Sequence, residues 1–216
     1  LEGIFSFDVE NEEDLKNWTD MMQPGDFCCG ASDAFNLFLT QLNIPQAKER
    51  KMQRRFPVKF NVILHGSTIR NILFEKEIGK NRIPQFELPS LQSAENELPE
   101  PFYNEIKNVL TNKRTIYLSA GTFIAKNSGL SKRIEKMLGE TARLLYRDFS
   151  HEGLHLYVTG GATATAVIGS LGINRSIVED EPAKGVVTLS PENKKLYLTV
   201  KPGSYQWPET ILEKKK

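Results

Sequence analysis

The strongest constraint on the fold is a pattern that recurs along the chain: a mostly apolar run of strand length, a turn of small residues, and then a helix. The runs span residues 60–64, 115–119 and 154–158, and the turns after them contain Gly66-Ser67, Ala120-Gly121 and Gly160-Gly161. Strands that alternate with helices are typical of a parallel sheet with helices on its faces. The sequence therefore predicts an α/β fold, a three-layer α/β/α arrangement with a mostly parallel sheet.

Further elements are predicted on both sides of this pattern. Near the start we expect strands at Ile4–Val9 and Asp26–Cys29, and helices at 11–22 and 34–42. Residues 84–101 are rich in proline and polar side chains, which favours a long connection. The stretch 130–149 places its apolar residues on one helical face. Short strands are predicted near 176–178, 185–189 and 196–200.

Composition excludes several classes of protein. The net charge is +1 with 25% charged residues, so no strong field attracts nucleic acid or an anionic membrane. Cys28 and Cys29 are neighbours, which fits neither a disulfide framework nor a zinc motif, and we expect them to be buried free thiols. No run approaches the roughly 20 apolar residues of a membrane span, and the first residues lack the charged segment followed by an apolar core that is typical of a signal peptide. We expect a cytoplasmic protein, and the start at Leu1 suggests part of a longer one.

The small-residue turns are candidates for phosphate binding. At the carboxyl ends of parallel strands, helix N-termini expose unpaired N–H groups and a partial positive charge. Gly160 and Gly161 would let the backbone approach a diphosphate, while Thr163 could cap the helix or bond a phosphate. Ser67 could be an N-cap that also meets a nucleotide. Tight packing between strand and helix, or a cap alone, explains the same residues equally well.

Two other segments could take part in such a site. Lys201 precedes Pro202-Gly203, a stiff turn that can direct a cation or a backbone N–H into a cleft, although it can equally be only a turn. The acidic run 179–181 has side chains of the kind that bind Mg²⁺, and a solvated loop is the alternative interpretation. No spacing of His, Cys or carboxylate residues indicates a bound transition metal.

In order, these motifs resemble the C-terminal part of the four-carbon acid sugar kinases. That family has a Gly-Ser turn, a late Gly-Gly-Asp-Thr turn, a Leu-Gly pair, a Glu-x-x-Pro-Gly stretch and a final Lys-Pro-Gly-x-Phe-Gly. This sequence has Gly66-Ser67, Thr159-Gly160-Gly161-Ala162-Thr163, Leu171-Gly172, residues 179–185 and Lys201-Pro202-Gly203-Ser204-Tyr205. The opening, with Phe7-Asp8-Val9 and Gly30-Ala31-Ser32, resembles the last stretch of the family's substrate-binding domain.

The resemblance implies a function and a domain plan. Family members transfer the γ-phosphoryl group of ATP to acids such as threonate or erythronate, so it implies binding of ATP with Mg²⁺. Residues 1–45 would end the sugar-acid-binding domain, 46–57 would be a linker, and 58–216 would be the nucleotide-binding domain. A missing N-terminal domain would hold the sugar acid, so the chain alone would be inactive, and homo-oligomers are compatible with the plan. The nucleotide contacts would be Ser67, Gly160, Gly161, Ala162, Thr163 and Gly203.

The sequence also departs from the family pattern. Ala162 stands where the family has an acidic residue, Ala183 replaces a glycine, and Tyr205-Gln206-Trp207 replaces the final Phe-Gly. Trp207 would then fill space otherwise open to the nucleotide. The family's Asp-Asp-x-Thr-Gly-Ala motif is absent from these residues, so no catalytic residue is assigned. Two alternatives are a non-catalytic regulatory protein that kept the fold and a different α/β enzyme that binds another phosphate compound.

If the strands are parallel neighbours, the turns must meet. We therefore predict that Ser67, Gly161 and Gly203 line one pocket, although they are far apart in sequence.

Overall fold

The computed structural model describes two compact units, Leu1–Glu49 and Arg50–Lys216. The described residues are 3, 6–23, 25–27, 29–30, 32–45, 55–67, 72–89, 98–121, 128–203 and 205–208.

The first unit contains the helices α1 (Glu12–Met21) and α2 (Ser32–Gln41). Helix α1 begins after Asn11, whose side chain accepts hydrogen bonds from the backbone N–H groups of Glu13 and Asp14, at 2.9 and 3.0 Å. The Gln41 side chain of α2 donates to Thr19 of α1 at 2.8 Å. Both helices were predicted, because their caps and apolar spacing are local signals.

The two strands predicted for this unit are wrong over their described residues. Residues 6–9 and residues 26, 27 and 29 have no strand structure. A strand needs a partner for its backbone groups, and the part of this unit that the structure describes offers none. Cys29 lies in the same irregular connection and is exposed, which corrects the expected buried thiol, whereas Cys28 is outside the described residues.

The second unit is one seven-stranded sheet with helices on both faces. Its strands are β1 (Phe60–His65), β2 (Gln85–Glu87), β3 (Thr115–Ser119), β4 (Leu154–Thr159), β5 (Ser176–Ala183), β6 (Val186–Pro191) and β7 (Leu196–Lys201). Its α-helices are α3 (Ile72–Lys80), α4 (Glu100–Lys113), α5 (Ser128–Phe149) and α6 (Gly161–Ser170), and a 3₁₀-helix spans Ser150–Glu152.

The spatial order of the strands is β2-β3-β1-β4-β7-β6-β5. Strands β2, β3, β1, β4 and β7 are parallel, while β5 and β6 add an antiparallel hairpin at one edge. The predicted α/β fold with a mostly parallel sheet is confirmed. Two details are corrected: β2 lies in the stretch interpreted as a long connection, and the acidic run 179–181 belongs to β5 rather than to a loop.

The sheet is covered on both faces because the side chains of each strand alternate. Val62, Leu64 and their neighbours on β3, β4 and β7 pack against α4, α5 and α6 in the larger core. Ile63, Tyr117 and Tyr157 point the other way and pack against Phe74 and Ile78 of α3 and against Trp207. No described helix is long and apolar enough to cross a membrane.

A cluster of polar and charged side chains links α4 to α5. The Asp148 carboxylate accepts a hydrogen bond from the Tyr103 hydroxyl at 3.0 Å. It also pairs with Lys107 at 2.7 Å and with Arg147 at 2.6 Å. The bond from Arg147, followed by that from Lys107, holds the pKa of Asp148 well below its usual range, although partial burial opposes the shift. Burial, followed by the hydrogen bond to the Asp148 carboxylate, raises the pKa of the Tyr103 hydroxyl.

This cluster predicts an acid-sensitive contribution to stability. Asp148→Asn should lower the free energy of unfolding at pH 7 by about 1–3 kcal/mol, the range for hydrogen bonds to a charged group. The folded-state pKa is depressed, so the stabilisation is present above the unfolded-state pKa of about 4 and is lost as the pH falls below it. Urea titrations followed by circular dichroism should therefore show the gap to wild type narrowing below about pH 4.

The matched control is Glu140→Gln, which removes a carboxylate from an exposed pair with Arg143 on the same helix. It should change stability by less than about 1 kcal/mol. A gap for Asp148→Asn that is constant with pH would contradict the electrostatic interpretation.

Candidate functional site at the carboxyl edge of the sheet

Three turns meet where β1, β4 and β7 end. His65 of β1 is in register with Thr159 of β4, and Thr159 is in register with Lys201 of β7. These three residues are the last of their strands. Ser67, Gly161 and Gly203 each follow two positions later, so the register places all three turns at one edge of the sheet. The predicted convergence is thus present in the backbone, while binding at these turns stays a prediction.

Gly66 is the point at which the first turn contacts helix α6. A methyl group at Gly66 would lie 1.9 Å from Oγ1 of Thr163 and 3.0 Å from its Cβ. Thr163 is only 4% exposed, so its side chain fills the space that the missing Cβ leaves open. The glycine is required here for close approach, and not for an unusual φ angle.

The N-terminus of α6 presents unpaired donors at this edge. Gly160 has φ +97° and donates its N–H to the carbonyl of Lys201 at 2.8 Å, which fixes the turn. The N–H groups of Gly161, Ala162 and Thr163 have no acceptor among the described residues, and no side chain caps the helix. The first turn also lacks acidic residues. Gly161 and Ala162 are exposed, so these donors and the positive end of the helix dipole face open space and favour an anion.

Lys201 lies beside this helix end, with only 1% of its surface exposed. Its ammonium donates to the carbonyls of Pro202, Gly203 and Tyr205 at 2.8, 3.4 and 2.5 Å. The ring of Trp207 is 5.6 Å from the same nitrogen. Burial lowers the pKa of this ammonium. The cation therefore holds its own loop and does not point into a cleft.

A row of buried polar residues ends the parallel strands, and sequence reasoning did not recognise it as a set. Besides His65, Thr159 and Lys201, it contains Ser119 of β3, which is in register with His65. The Thr159 hydroxyl has no hydrogen-bond partner among the described residues. The row could have been found from the sequence, because each apolar run ends in a polar residue immediately before a small-residue turn. Such a row places polar side chains at the edge where ligands of open α/β sheets bind.

The structure tests some of the roles expected of individual residues. Ile72 is the first described residue of helix α3 and residues 68–71 lie outside the described residues, so an N-cap role for Ser67 stays a prediction. Gly160 occupies the cap position of α6, so Thr163 is a packing residue and not a cap. Trp207 is 8% exposed and packs with Phe74 and Tyr157 on the α3 side of the sheet, while its expected effect on the space for a nucleotide stays a prediction. The acidic run 179–181 is among the described residues, and no group of three side chains that could hold a metal ion occurs in them.

Comparison with known proteins now assigns this region. Residues 100–205, which include β4, the Gly160-Gly161 turn and β7, match the model of the nucleotide-binding C-terminal domain. Structural neighbours of the chain belong to the DUF1537 family, which is the four-carbon acid sugar kinase family, and the resemblance read from the sequence motifs is confirmed. No curated protein matches the chain.

Three solved structures share the fold of the nucleotide-binding domain and extend beyond it. Protein HI1011 of Haemophilus influenzae, of the DUF1537 family, has a TM-score of 0.55 and 17% identity over 92% of this chain and 50% of its own. A Salmonella typhimurium LT2 protein, provisionally named a tRNA synthase, has a TM-score of 0.61 and 16% identity over 95% and 50%. A Bordetella bronchiseptica DUF1537 protein, solved with citrate as a domain-swapped dimer, has a TM-score of 0.51 and 17% identity over 71% and 39%. The chain spans half or less of each.

The contact between Gly66 and Thr163 gives a test of this geometry. Gly66→Ala should lower the free energy of unfolding by about 1–3 kcal/mol, because the new methyl group overlaps the threonine hydroxyl. Adding Thr163→Ala should recover part of that loss, which denaturant titrations of the double-mutant cycle would measure.

Gly79→Ala is the control, since that helical glycine has no atom within 4 Å of its missing Cβ. It should be neutral or stabilising by up to about 1 kcal/mol. Additive effects of Gly66→Ala and Thr163→Ala would contradict the contact.

Proposed function

We propose that this chain is the ATP-binding portion of a kinase that phosphorylates a four-carbon acid sugar of the threonate or erythronate type. The observation that carries the proposal is the uncapped N-terminus of α6, which meets the turns after β1 and β7 at one edge of the sheet. The phosphates of ATP would accept hydrogen bonds from the N–H groups of Gly161, Ala162 and Thr163. Ser67 and Gly203 would contact the nucleotide from the two neighbouring turns.

The electrostatics of the helix end support an anionic ligand. A carboxylate in the first turn would compete with phosphate for the free N–H groups, and α6 has none there. Gly161 has nothing within 4 Å of its missing Cβ, so a phosphate can reach the backbone at that position. Phosphoryl transfer depends mainly on positioning and on charge stabilisation, and fixed backbone donors contribute to both.

Mg²⁺ would arrive with the nucleotide in this proposal. Ala162 has no side chain that could bind the metal, and the described residues contain no group of three ligands. The phosphates and water would therefore supply most of the oxygen ligands that Mg²⁺ prefers.

The sugar acid would be held by a further domain. The first unit supports this, because it exposes many large apolar side chains for its size. These are Phe7 (47% exposed), Val9 (46%), Met21 (63%), Phe27 (92%), Phe35 (61%), Leu42 (54%) and Ile44 (46%). Exposed apolar surface on this scale marks a contact with another protein part. The chain alone should therefore bind ATP weakly and catalyse little, and a dimer of the kind solved for the Bordetella protein is compatible with it.

A second candidate is a regulatory protein that kept the fold and lost the reaction. Ala162 favours it, because the resemblance places an acidic residue there. Calorimetric titration with magnesium–ATP separates the two candidates. Absence of binding at millimolar nucleotide, in a longer protein that includes the substrate-binding domain, would leave only the second. Magnesium tripolyphosphate is the comparison ligand, since equal affinity for it would indicate a phosphate site without purine preference.

Gly161→Val tests the assignment of the turn. A branched side chain there should block the approach of the phosphates and reduce ATP affinity by at least about tenfold. The fold should persist, because the positive φ belongs to Gly160 and valine is tolerated in a helix within about 1 kcal/mol of glycine. Calorimetry would measure the affinity and denaturant titration the stability.

Gly169→Val is the matched control, at the opposite end of the same helix and with equally open surroundings. It should leave ATP affinity unchanged. Wild-type affinity in Gly161→Val would overturn the assignment of this turn.

A further inference from the structure

Lys201 contacts two of the three turns through different atoms. Its carbonyl accepts the N–H of Gly160 at 2.8 Å, in the turn that starts α6. Its ammonium binds the carbonyls of Pro202, Gly203 and Tyr205 in the loop after β7. No other residue described in this structure bridges the helix turn and that loop by hydrogen bonds from both its backbone and its side chain.

The loop that Lys201 holds is also fixed from outside. The Tyr205 ring lies against Gly185, where a methyl group would be 2.8 Å from the ring carbon Cε1. Gly185 is in the turn between β5 and β6, and its N–H donates to the Glu181 carboxylate at 3.0 Å. The loop is therefore packed between the hairpin and the buried ammonium, and its carbonyls point inward to the ammonium.

The inward direction of these carbonyls removes negative partial charge from the exposed side of the loop. If carbonyls near Gly203 faced the nucleotide, they would repel its phosphates. The ammonium draws the oxygens of Pro202, Gly203 and Tyr205 to itself and leaves Gly203 exposed. A buried ammonium is costly unless it is hydrogen-bonded. The hydrogen bonds to these three carbonyls offset the cost of burying the Lys201 ammonium.

We infer that Lys201 is a positioning residue, which sets the geometry of the Gly160 turn and of the loop after β7 so that both can receive the nucleotide. It acts through the backbone and does not touch the phosphates. The inference rests on the proposed function for the identity of the ligand, but the contacts that it explains are independent of any ligand.

The experiment uses Trp207 as a reporter of the loop. The chain has two tryptophans, so a Trp18→Phe background leaves Trp207 as the only one. In that background, Lys201→Met keeps the apolar stem and removes the donors. We expect the acrylamide quenching constant of Trp207 to rise towards that of the unfolded chain, and the affinity for magnesium–ATP to fall by about tenfold or more.

Lys195→Met is the matched control, because Lys195 is exposed just before the amino end of the same strand. It should change neither quenching nor affinity. Lys201→Arg retains donors and should restore part of both properties, and Lys201→Gln, with fewer donors, should restore less. If Lys201→Met does not unfold cooperatively, the order wild type, Arg, Gln carries the test.

The results distinguish failure of the Lys201 inference from failure of the proposed ATP-binding function. Wild-type quenching in Lys201→Met would overturn the inference, and so would wild-type ATP affinity with increased quenching. If the wild-type protein binds no nucleotide, the proposed function fails, and the inference fails with it as far as the nucleotide is concerned. In that case, quenching that follows the donor series still supports Lys201 as the residue that orders the two turns.

Discussion

The parallel register of β1, β4 and β7 is the constraint on which the rest of the site depends. It aligns His65, Thr159 and Lys201 as the last residues of adjacent strands, so the turns after them leave the sheet at one edge. The buried apolar residues on both faces hold that register, because a shift by one residue would exchange the two faces. Core packing on the two faces thereby fixes the position of a polar site that contains few apolar groups itself.

Two close contacts fix the positions of the turns that follow these strands. Gly66 lies against the Thr163 side chain, and the Gly160 N–H bonds to the Lys201 carbonyl. The first contact joins the turn after β1 to helix α6, and the second joins the turn before α6 to the end of β7. The three turns therefore have little freedom to move relative to one another. The donors that remain are the N–H groups of Gly161, Ala162 and Thr163 in the first turn of α6, where Gly161 and Ala162 are exposed. An anion bound there would meet donors already in place and would lose less entropy than one that must order them.

Much of the fold could be predicted because its signals are local. The strands β1, β3 and β4 follow from short apolar runs, and α5 follows from one apolar face. Predictions failed where structure depends on distant partners. Residues 6–9 have strand-like composition but no neighbouring strand among the described residues, whereas the acidic run 179–181 reads as a loop and becomes a strand because β6 pairs with it.

The sequence by itself determined the order of the elements, the small-residue turns and the family motifs, because each depends on residues that are close along the chain. Only the tertiary structure decided what those residues do. The sequence leaves Thr163 as a cap or a phosphate ligand, and the structure packs its side chain against Gly66. It leaves Lys201 as a cation for a cleft or as part of a simple turn, and the structure shows its ammonium binding carbonyls of its own loop. Composition cannot distinguish such roles, since they depend on which groups the strand register brings within hydrogen-bonding or van der Waals distance.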